Sequence, residues 1–167
     1  MLRWVGAAAV GLLVLTGCTV PIGGVSGVTV DANGKPVIVI QMCEGHVDTA
    51  VLYLPDPDPD RAFPKDKTIG HWETDAAVTG FSQFSVETGG NGWRPVGQLA
   101  PRELDAKYSA YGGTKDNSWS TGYIDFSIRD LATLKPGTVR VLDPHSGDPK
   151  LKSLEDFKQK SCENWDQ

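Results

Sequence analysis

Short apolar runs, separated by turn segments in which glycine and proline are common, most limit how this chain can fold. Asn33-Gly34 separates the run Val28–Val30 from Val37–Met42. Both turn residues accept the positive φ angles of a tight hairpin, and β-branched residues flank them. The 19 glycines and 11 prolines are spread between such runs rather than gathered in one tract. The pattern predicts many short strands joined by turns.

Six further runs have the length and residue types of strands. They are Val47–Leu54, Ile69–Thr74, Phe81–Glu87, Lys107–Tyr111, Gly122–Ile128 and Thr138–Leu142. Seven or eight short strands favour an all-β fold, and we predict an antiparallel sandwich of two sheets that extends from residue 28 to residue 167. A β-barrel is the alternative topology.

The C-terminal segment has a helical pattern instead. Ser153 is a suitable N-cap, and Glu155 and Asp156 follow in the first turn, where the helix dipole favours anions. Leu154, Phe157 and Trp165 then fall on one face. We expect a short helix near residues 153–165, packed against the edge of the sheet.

Two segments that precede predicted strands resemble features of a known class of β fold. They are Leu99-Ala-Pro101 before Tyr108, and Leu134-Lys-Pro-Gly-Thr138 before Val139. Both resemble the corners at which immunoglobulin-like and fibronectin-type strands begin. The resemblance implies an immunoglobulin-like form of the sandwich.

The first 18 residues indicate where in the cell the protein is located. Arg3 precedes an uncharged run from Trp4 to Gly17, which is too short to cross a bilayer but suits the apolar part of a signal peptide. The run closes on Leu15-Thr16-Gly17-Cys18, which resembles a bacterial lipobox. An ordinary secretory signal followed by a chance cysteine is the alternative.

The lipobox resemblance implies a signal peptide over residues 1–17, with acylation of Cys18. Two or three acyl chains, at about 0.8 kcal/mol per buried CH₂, would hold the protein on the extracytoplasmic face of the cell membrane. Residues 18–27 are then expected to form a tether. With the Gly, Ala and Val bias, the chain resembles small cell-envelope lipoproteins of actinobacterial type.

Three cysteines are present, an odd number. Acylation of Cys18 leaves Cys43 and Cys162, which we expect to pair outside the cytoplasm. Because the chain has no Cys-x-x-Cys spacing, a structural disulfide is favoured over a redox-active one.

The net charge and the absence of catalytic motifs argue against several classes of function. The net charge of −5 disfavours binding to nucleic acid. The chain contains no Gly-x-Ser-x-Gly, Ser-x-x-Lys or Walker motif. We therefore predict a non-catalytic binding or accessory module of the cell envelope, without a cofactor.

A metal-binding or enzymatic envelope protein is the alternative function. Glu44, His46 and Asp48 alternate along the chain, and so do His71, Glu73 and Asp75. If the two strands were neighbours, a site of mixed nitrogen and oxygen ligands could form. The competing interpretation is a solvated strand face, because the spacing matches no known ligand motif.

Aromatic residues supply the last candidate site. Trp72, Trp93, Tyr111, Trp119 and Tyr123 lie among polar segments. Exposed aromatic rings bind sugars or peptides by stacking, although most large aromatics fill cores. Trp119 lies between two serines in a polar loop and is the residue that we expect to be exposed, with Trp93 as a second ligand-binding candidate. The expected partner is a cell-wall glycan, a peptide or an envelope protein.

Overall fold

The computed structural model of the chain describes residues 19–58, 60, 65–144 and 146–163. This part consists of eleven strands and two short helices: β1 (Ile22–Val30), β2 (Pro36–Met42), β3 (Val47–Leu54), β4 (Lys67–Val78), β5 (Phe81–Ser85), β6 (Trp93–Pro95), β7 (Tyr108–Gly113), β8 (Ser120–Gly122), β9 (Ile124–Phe126), α1 (Ile128–Leu131), β10 (Thr138–Leu142), β11 (Pro149–Ser153) and α2 (Leu154–Lys160). The predicted signal peptide, Cys18 and Trp165 lie outside the described residues. Neither helix is long and apolar enough to cross a membrane.

The first hairpin forms where Asn33-Gly34 predicts it. β1 and β2 pair antiparallel from Gly24 opposite Met42 to Val30 opposite Pro36. Gly34 has a φ of +76°, which its missing Cβ permits. The hairpin is therefore set by local turn chemistry.

The expected tether is wrong over residues 22–27, because β1 begins at Ile22 rather than at Val28. The small residues of this segment allow close packing on both sides. A Cβ added to Gly27 would lie 2.6 Å from Cγ1 of Val139, so only glycine lets the two strands come so close. The glycines that suggested a flexible linker are packing residues of a strand.

The strands form one mixed sheet. Its hydrogen-bonded order is β11-β10-β1-β8-β7-β3-β4-β6, and β1 also pairs with β2, which pairs with β5. β1 and β8 run parallel. The segment between β5 and β6 adds bridges at Ser85–Gly89 and Gly90–Trp93, and the sheet is nearly closed. The fold is mostly β with a short C-terminal helix, but this topology does not confirm an antiparallel immunoglobulin-like sandwich of two sheets.

The main core lies inside the curved sheet. Its largest fully buried side chains include Trp72, Phe84, Tyr108, Leu52 and Ile124. The rings of Trp72 and Phe84 have centroids 5.2 Å apart. The apolar phases of β3, β4, β5, β7 and β9 meet here, so the opposite phase of these strands forms the outer surface.

A second, smaller core explains why apolar residues lie on both faces of β2. Val39 on the outer side of β2 packs with Val139, Val141 and Phe157. Phe157 belongs to α2, which begins after Ser153 as predicted: the Ser153 side chain accepts the backbone N–H of Asp156 at 3.0 Å. The predicted bond between Cys43 and Cys162 is also present, and it holds the end of α2 to the chain beyond β2.

Tyr108 makes a local contact with the loop after Leu99-Ala-Pro101, one of the two segments that resemble immunoglobulin-like corners. Its hydroxyl accepts the backbone N–H of Glu103 at 2.6 Å and donates to the Glu103 carbonyl at 3.2 Å. The loop before β7 is thereby fixed to the strand. The contact is local, however, and it occurs here in a mixed, nearly closed sheet.

Candidate functional site

An open groove lined by aromatic rings lies on the outer surface of the sheet. We call it the aromatic groove, and its volume is about 360 Å³. Ten residues line it: Val20, Ile22, Tyr53, Tyr111, Gly113, Asn117, Trp119, Ser120, Thr121 and Tyr123. Three of the aromatic residues named from the sequence, Tyr111, Trp119 and Tyr123, thus meet at one site.

Trp119 lies against two glycines. A Cβ added to Gly45 would lie 2.3 Å from Cδ2 of the indole, and one added to Gly23 would lie 2.8 Å from Cε3. Gly23 is itself held in place, because its carbonyl accepts the backbone N–H groups of Cys43 and Glu44, each at 2.8 Å. The missing side chains leave space for one side of the indole, so Trp119 is half-buried rather than exposed as the sequence predicted.

The loop that carries Trp119 is held by a dense set of hydrogen bonds. The Thr114 hydroxyl accepts the backbone N–H groups of Ser118 at 2.8 Å and Trp119 at 3.1 Å. Asn117 adopts the left-handed conformation, with a φ of +56°. The Lys115 N–H donates to Asp48 on β3 at 2.9 Å. Trp119 is therefore positioned before any ligand arrives.

Asp116 gives this loop a pH dependence. Hydrogen bonds from the Ser118 hydroxyl, then from Thr114 and from the Ser118 backbone N–H, lower the pKa of Asp116 to about 2. A lowered pKa means that the ionised carboxylate stabilises the loop. The contribution is complete above the ordinary value of 3.8 and is lost as the pH falls through about 2.

We expect the Trp119 environment to change with a midpoint near pH 2 in an acid titration followed by indole NMR signals. Asp116→Asn is the control, because it removes the titrating group and should remove this midpoint. A midpoint near 3.8 in the natural chain, or an unchanged titration in Asp116→Asn, would contradict the assignment.

Tyr53 and Tyr111 form the floor of the groove on β3 and β7. Their ring centroids are 6.0 Å apart and the rings meet edge to face at 79°. Burial raises the pKa of the Tyr53 phenol and outweighs the opposite effect of hydrogen bonding by Ser109. The Tyr53 hydroxyl therefore stays neutral near pH 7 and can act as a hydrogen-bond donor.

The groove is neutral but not wholly apolar. No charged side chain is among its ten lining residues. The Asn117 amide and the hydroxyls of Tyr111 and Tyr123 make no hydrogen bond to another described residue. Tyr123 is 55% exposed. The site thus combines ring faces for stacking with polar groups at its edge.

Trp93 does not belong to this site, which corrects the prediction of a ligand-binding role. Its side chain is only 3% exposed, its indole N–H donates to the Ser82 hydroxyl at 2.8 Å, and its ring stacks on Phe84 with centroids 4.8 Å apart. Pairing of β6 with β4 turns Trp93 into the core. Trp72 is fully buried there as well.

The two histidines of the metal hypothesis are kept apart by register. β3 and β4 are neighbours, as the hypothesis required, but His71 lies opposite Val51. Val51 is five positions beyond His46, which corresponds to about 17 Å along the strand. The two histidines therefore do not share a site.

The carboxylates of the same strand face have cationic partners. Glu73 lies 2.8 Å from Lys115 Nζ, and Arg94 donates to both oxygens of Asp75 at 2.6 and 2.7 Å. Hydrogen bonding from these cations lowers the pKa of Glu73 and of Asp75. No group of three His, Cys, Asp or Glu side chains that could hold a metal ion occurs within the part of the chain that the structure describes.

The groove residues that the sequence reasoning missed include Tyr53, Val20 and Ile22. Tyr53 lies in the outward phase of β3, and its alternation with buried Ala50 and Leu52 was the available signal. Val20 and Ile22 were assigned to a tether because glycines surround them. Their spacing of two residues, which is the spacing of one strand face, could have indicated a surface role.

Fold and site together define a class: a disulfide-containing, mostly β protein with a neutral aromatic groove. Comparison with protein-family models, with curated proteins and with solved structures found no match to this chain. Its function is therefore argued from the groove itself.

Proposed function

We propose that this protein is a lipid-anchored, non-catalytic binding module of the cell envelope, and that the aromatic groove binds a neutral saccharide. The observation that carries the proposal is the convergence of Tyr53, Tyr111, Trp119 and Tyr123 on one open groove without a charged lining residue. A wall glycan is the ligand that suits an envelope location.

Saccharide rings suit such a surface chemically. One face of a sugar ring presents C–H groups, which pack on an aromatic ring, while its hydroxyls extend from the edge. In the groove, the rings of Trp119 and Tyr123 supply the apolar contact, and the Asn117 amide lies beside them for the hydroxyls. A charged peptide would bring groups for which the lining has no ionic partner.

The lining favours binding over catalysis. Hydrolysis of a glycosidic bond generally uses two carboxyl groups facing the substrate. The ten lining residues include no Asp, Glu, His, Cys or Lys. The groove thus offers a contact surface and hydrogen-bond donors, which are the features that a binding module needs.

The disulfide supports a location outside the cytoplasm. Cys43 and Cys162 are bonded, and such bonds persist mainly in oxidising compartments. The remaining cysteine among the three is Cys18, at the end of the lipobox-like segment. Both facts agree with an extracytoplasmic lipoprotein.

The anchor is tested by labelling. We expect cells that express the protein to incorporate radiolabelled palmitate into it, and Cys18→Ala to abolish the label because the acceptor sulfur is gone. The disulfide variant Cys43→Ala/Cys162→Ala is the matched control and should keep the label. Palmitate retained by Cys18→Ala would overturn the assignment of the anchor.

Saccharide binding is tested by calorimetry on the detergent-solubilised protein with chitotetraose, mannotetraose and an arabinogalactan fragment. We expect at least one to bind, and Trp119→Ala to weaken that binding at least tenfold because the stacking surface is lost. Leu151→Ala is the control, since Leu151 is 62% exposed on β11 and does not line the groove.

Two results would count against the proposal. If none of the three saccharides binds, the groove does not recognise a neutral wall glycan. If binding occurs but is equally strong in Trp119→Ala, the ligand site lies elsewhere. Retention of a protein partner by Trp119→Ala, without saccharide binding, would instead favour an accessory subunit.

A further inference from the structure

The groove begins close to the proposed anchor. Val20 and Ile22 line one part of it, and both are unusually exposed for aliphatic residues, at 38% and 57%. Only Thr19 separates Val20 from Cys18. Two residue steps span at most about 7 Å, so an acylated Cys18 would keep this part of the groove near the membrane surface.

The position of Ile22 is fixed by the sheet. Ile22 lies opposite Ser120 in the parallel pair of β1 and β8, next to Trp119. The Ser120 N–H donates to the Pro21 carbonyl at 2.9 Å, which ties the entering chain to the groove. We call Val20 and Ile22 the aliphatic rim. The aliphatic rim and the aromatic rings therefore form one rigid surface.

The groove thus has two kinds of lining. Its exposed aliphatic side chains, Val20 and Ile22, come from the start of the described chain, and the aromatic rings with polar edge groups come from later strands and loops. A free sugar would use the aromatic part alone and leave Val20 and Ile22 in contact with water. A ligand with a sugar head and a lipid end matches both parts, and the neutral lining disfavours a phosphate head group.

We infer that the saccharide bound by the aromatic groove is the neutral head group of a membrane glycolipid, whose lipid end lies beside Val20 and Ile22. This inference rests on the proposed function, since it takes both the anchor at Cys18 and the sugar site as given. The sugar stacks on Trp119 and Tyr123 while the glycerol and first methylenes of the lipid contact the aliphatic rim. A protein so anchored meets its ligand in the plane of its own membrane.

The test uses the acylated protein inserted in phosphatidylcholine vesicles. Galactosyl, glucosyl and mannosyl forms of diglycosyl diacylglycerol are each titrated into the bilayer, up to one tenth of the lipid. The corresponding disaccharides are added in solution to vesicles without glycolipid. The measurement is the change in tryptophan fluorescence that disappears in Trp119→Phe.

We expect a response to at least one glycolipid at a sugar concentration at least tenfold lower than the free disaccharide needs. Val20→Ser and Ile22→Ser should each raise the glycolipid fraction required by a larger factor than they raise the concentration of free disaccharide required. Equal factors would contradict a lipid contact at these two residues. Leu151→Ser is the control, an exposed aliphatic residue on β11, and should change neither response.

Each remaining outcome overturns the inference. A response to free disaccharide equal to that for glycolipid leaves the proposed sugar site standing but removes the membrane-borne ligand. If the Trp119-dependent fluorescence in vesicles without any sugar already equals that reached with glycolipid, bare lipid or the anchor's own acyl chains occupy the groove. Absence of any response to both forms of all three sugars contradicts the sugar site as well.

Discussion

Replacing both Cys43 and Cys162 with alanine is expected to lower the free energy of unfolding by about 4–5 kcal/mol. The bond joins residues 119 positions apart, and closing so long a loop removes much of the conformational freedom of the unfolded chain. Cys162 also follows α2, whose Phe157 is fully buried in the smaller core. Loss of the bond thus frees the segment that covers the outer side of β2.

Urea unfolding followed by circular dichroism measures this effect. The natural protein should unfold at a clearly higher urea concentration than Cys43→Ala/Cys162→Ala, and a reductant should bring the natural protein to the value of the variant. The reductant should leave the double variant unchanged, which is the internal control. A difference below about 1 kcal/mol would mean that the bond constrains little of the fold.

Substituting Gly45 by alanine is expected to weaken saccharide binding at least tenfold while the domain stays folded. The new Cβ would lie 2.3 Å from Cδ2 of Trp119, a separation that non-bonded carbon atoms do not adopt. Because the Gly45 backbone is held next to the disulfide, the indole has to move. The groove then loses its largest ring surface.

Gly34→Ala is the matched control for that substitution. Gly34 and Gly45 have similar positive φ angles, +76° and +61°, so alanine is strained by about 1–2 kcal/mol at either position. A Cβ at Gly34 meets nothing within 4 Å. Calorimetry with the saccharide that binds the natural protein should therefore separate the two variants, and Gly34→Ala should bind as the natural protein does. Thermal unfolding should show both variants folded, with Gly45→Ala at the same or a lower midpoint because its Cβ meets the indole. Equal binding by both variants would contradict the placement of Trp119 on Gly45.

Local features of the fold could be predicted from the sequence. The Asn33-Gly34 hairpin and the helix cap at Ser153 depend on residues adjacent in the chain, and both are confirmed. The bounds Thr138–Leu142 of β10 are confirmed for the same reason, since turn residues flank an alternating apolar run. The disulfide followed from counting cysteines once Cys18 was set aside.

Long-range pairing could not be predicted in this way. The parallel contact of β1 with β8 joins segments about a hundred residues apart, and no local pattern encodes it. The same holds for β3 and β4, where only the register shows that His46 and His71 are separated. The choice between a sandwich and a nearly closed sheet depends on such pairings, so the periodicity of apolar residues could not predict it.

The site was predicted in part. Trp119 and Trp93 have similar sequence surroundings, each with polar or small neighbours, yet one lines the groove and the other fills the core. The difference arises from the partner strand that β6 finds in β4. The glycines near Val20 and Ile22 do not mark a flexible linker, because small residues suit close strand packing as well.

Indole N–H signals offer the most direct measurement of sugar recognition by the aromatic groove. In a titration of the ¹⁵N-labelled protein with the neutral oligosaccharides, the Trp119 signal, assigned by its loss in Trp119→Phe, should shift progressively and saturate. The signals of Trp72 and Trp93, buried in the main core, should stay in place. A saturating shift confined to Trp72 or Trp93, or a Trp119 signal that no saccharide moves, would contradict this account.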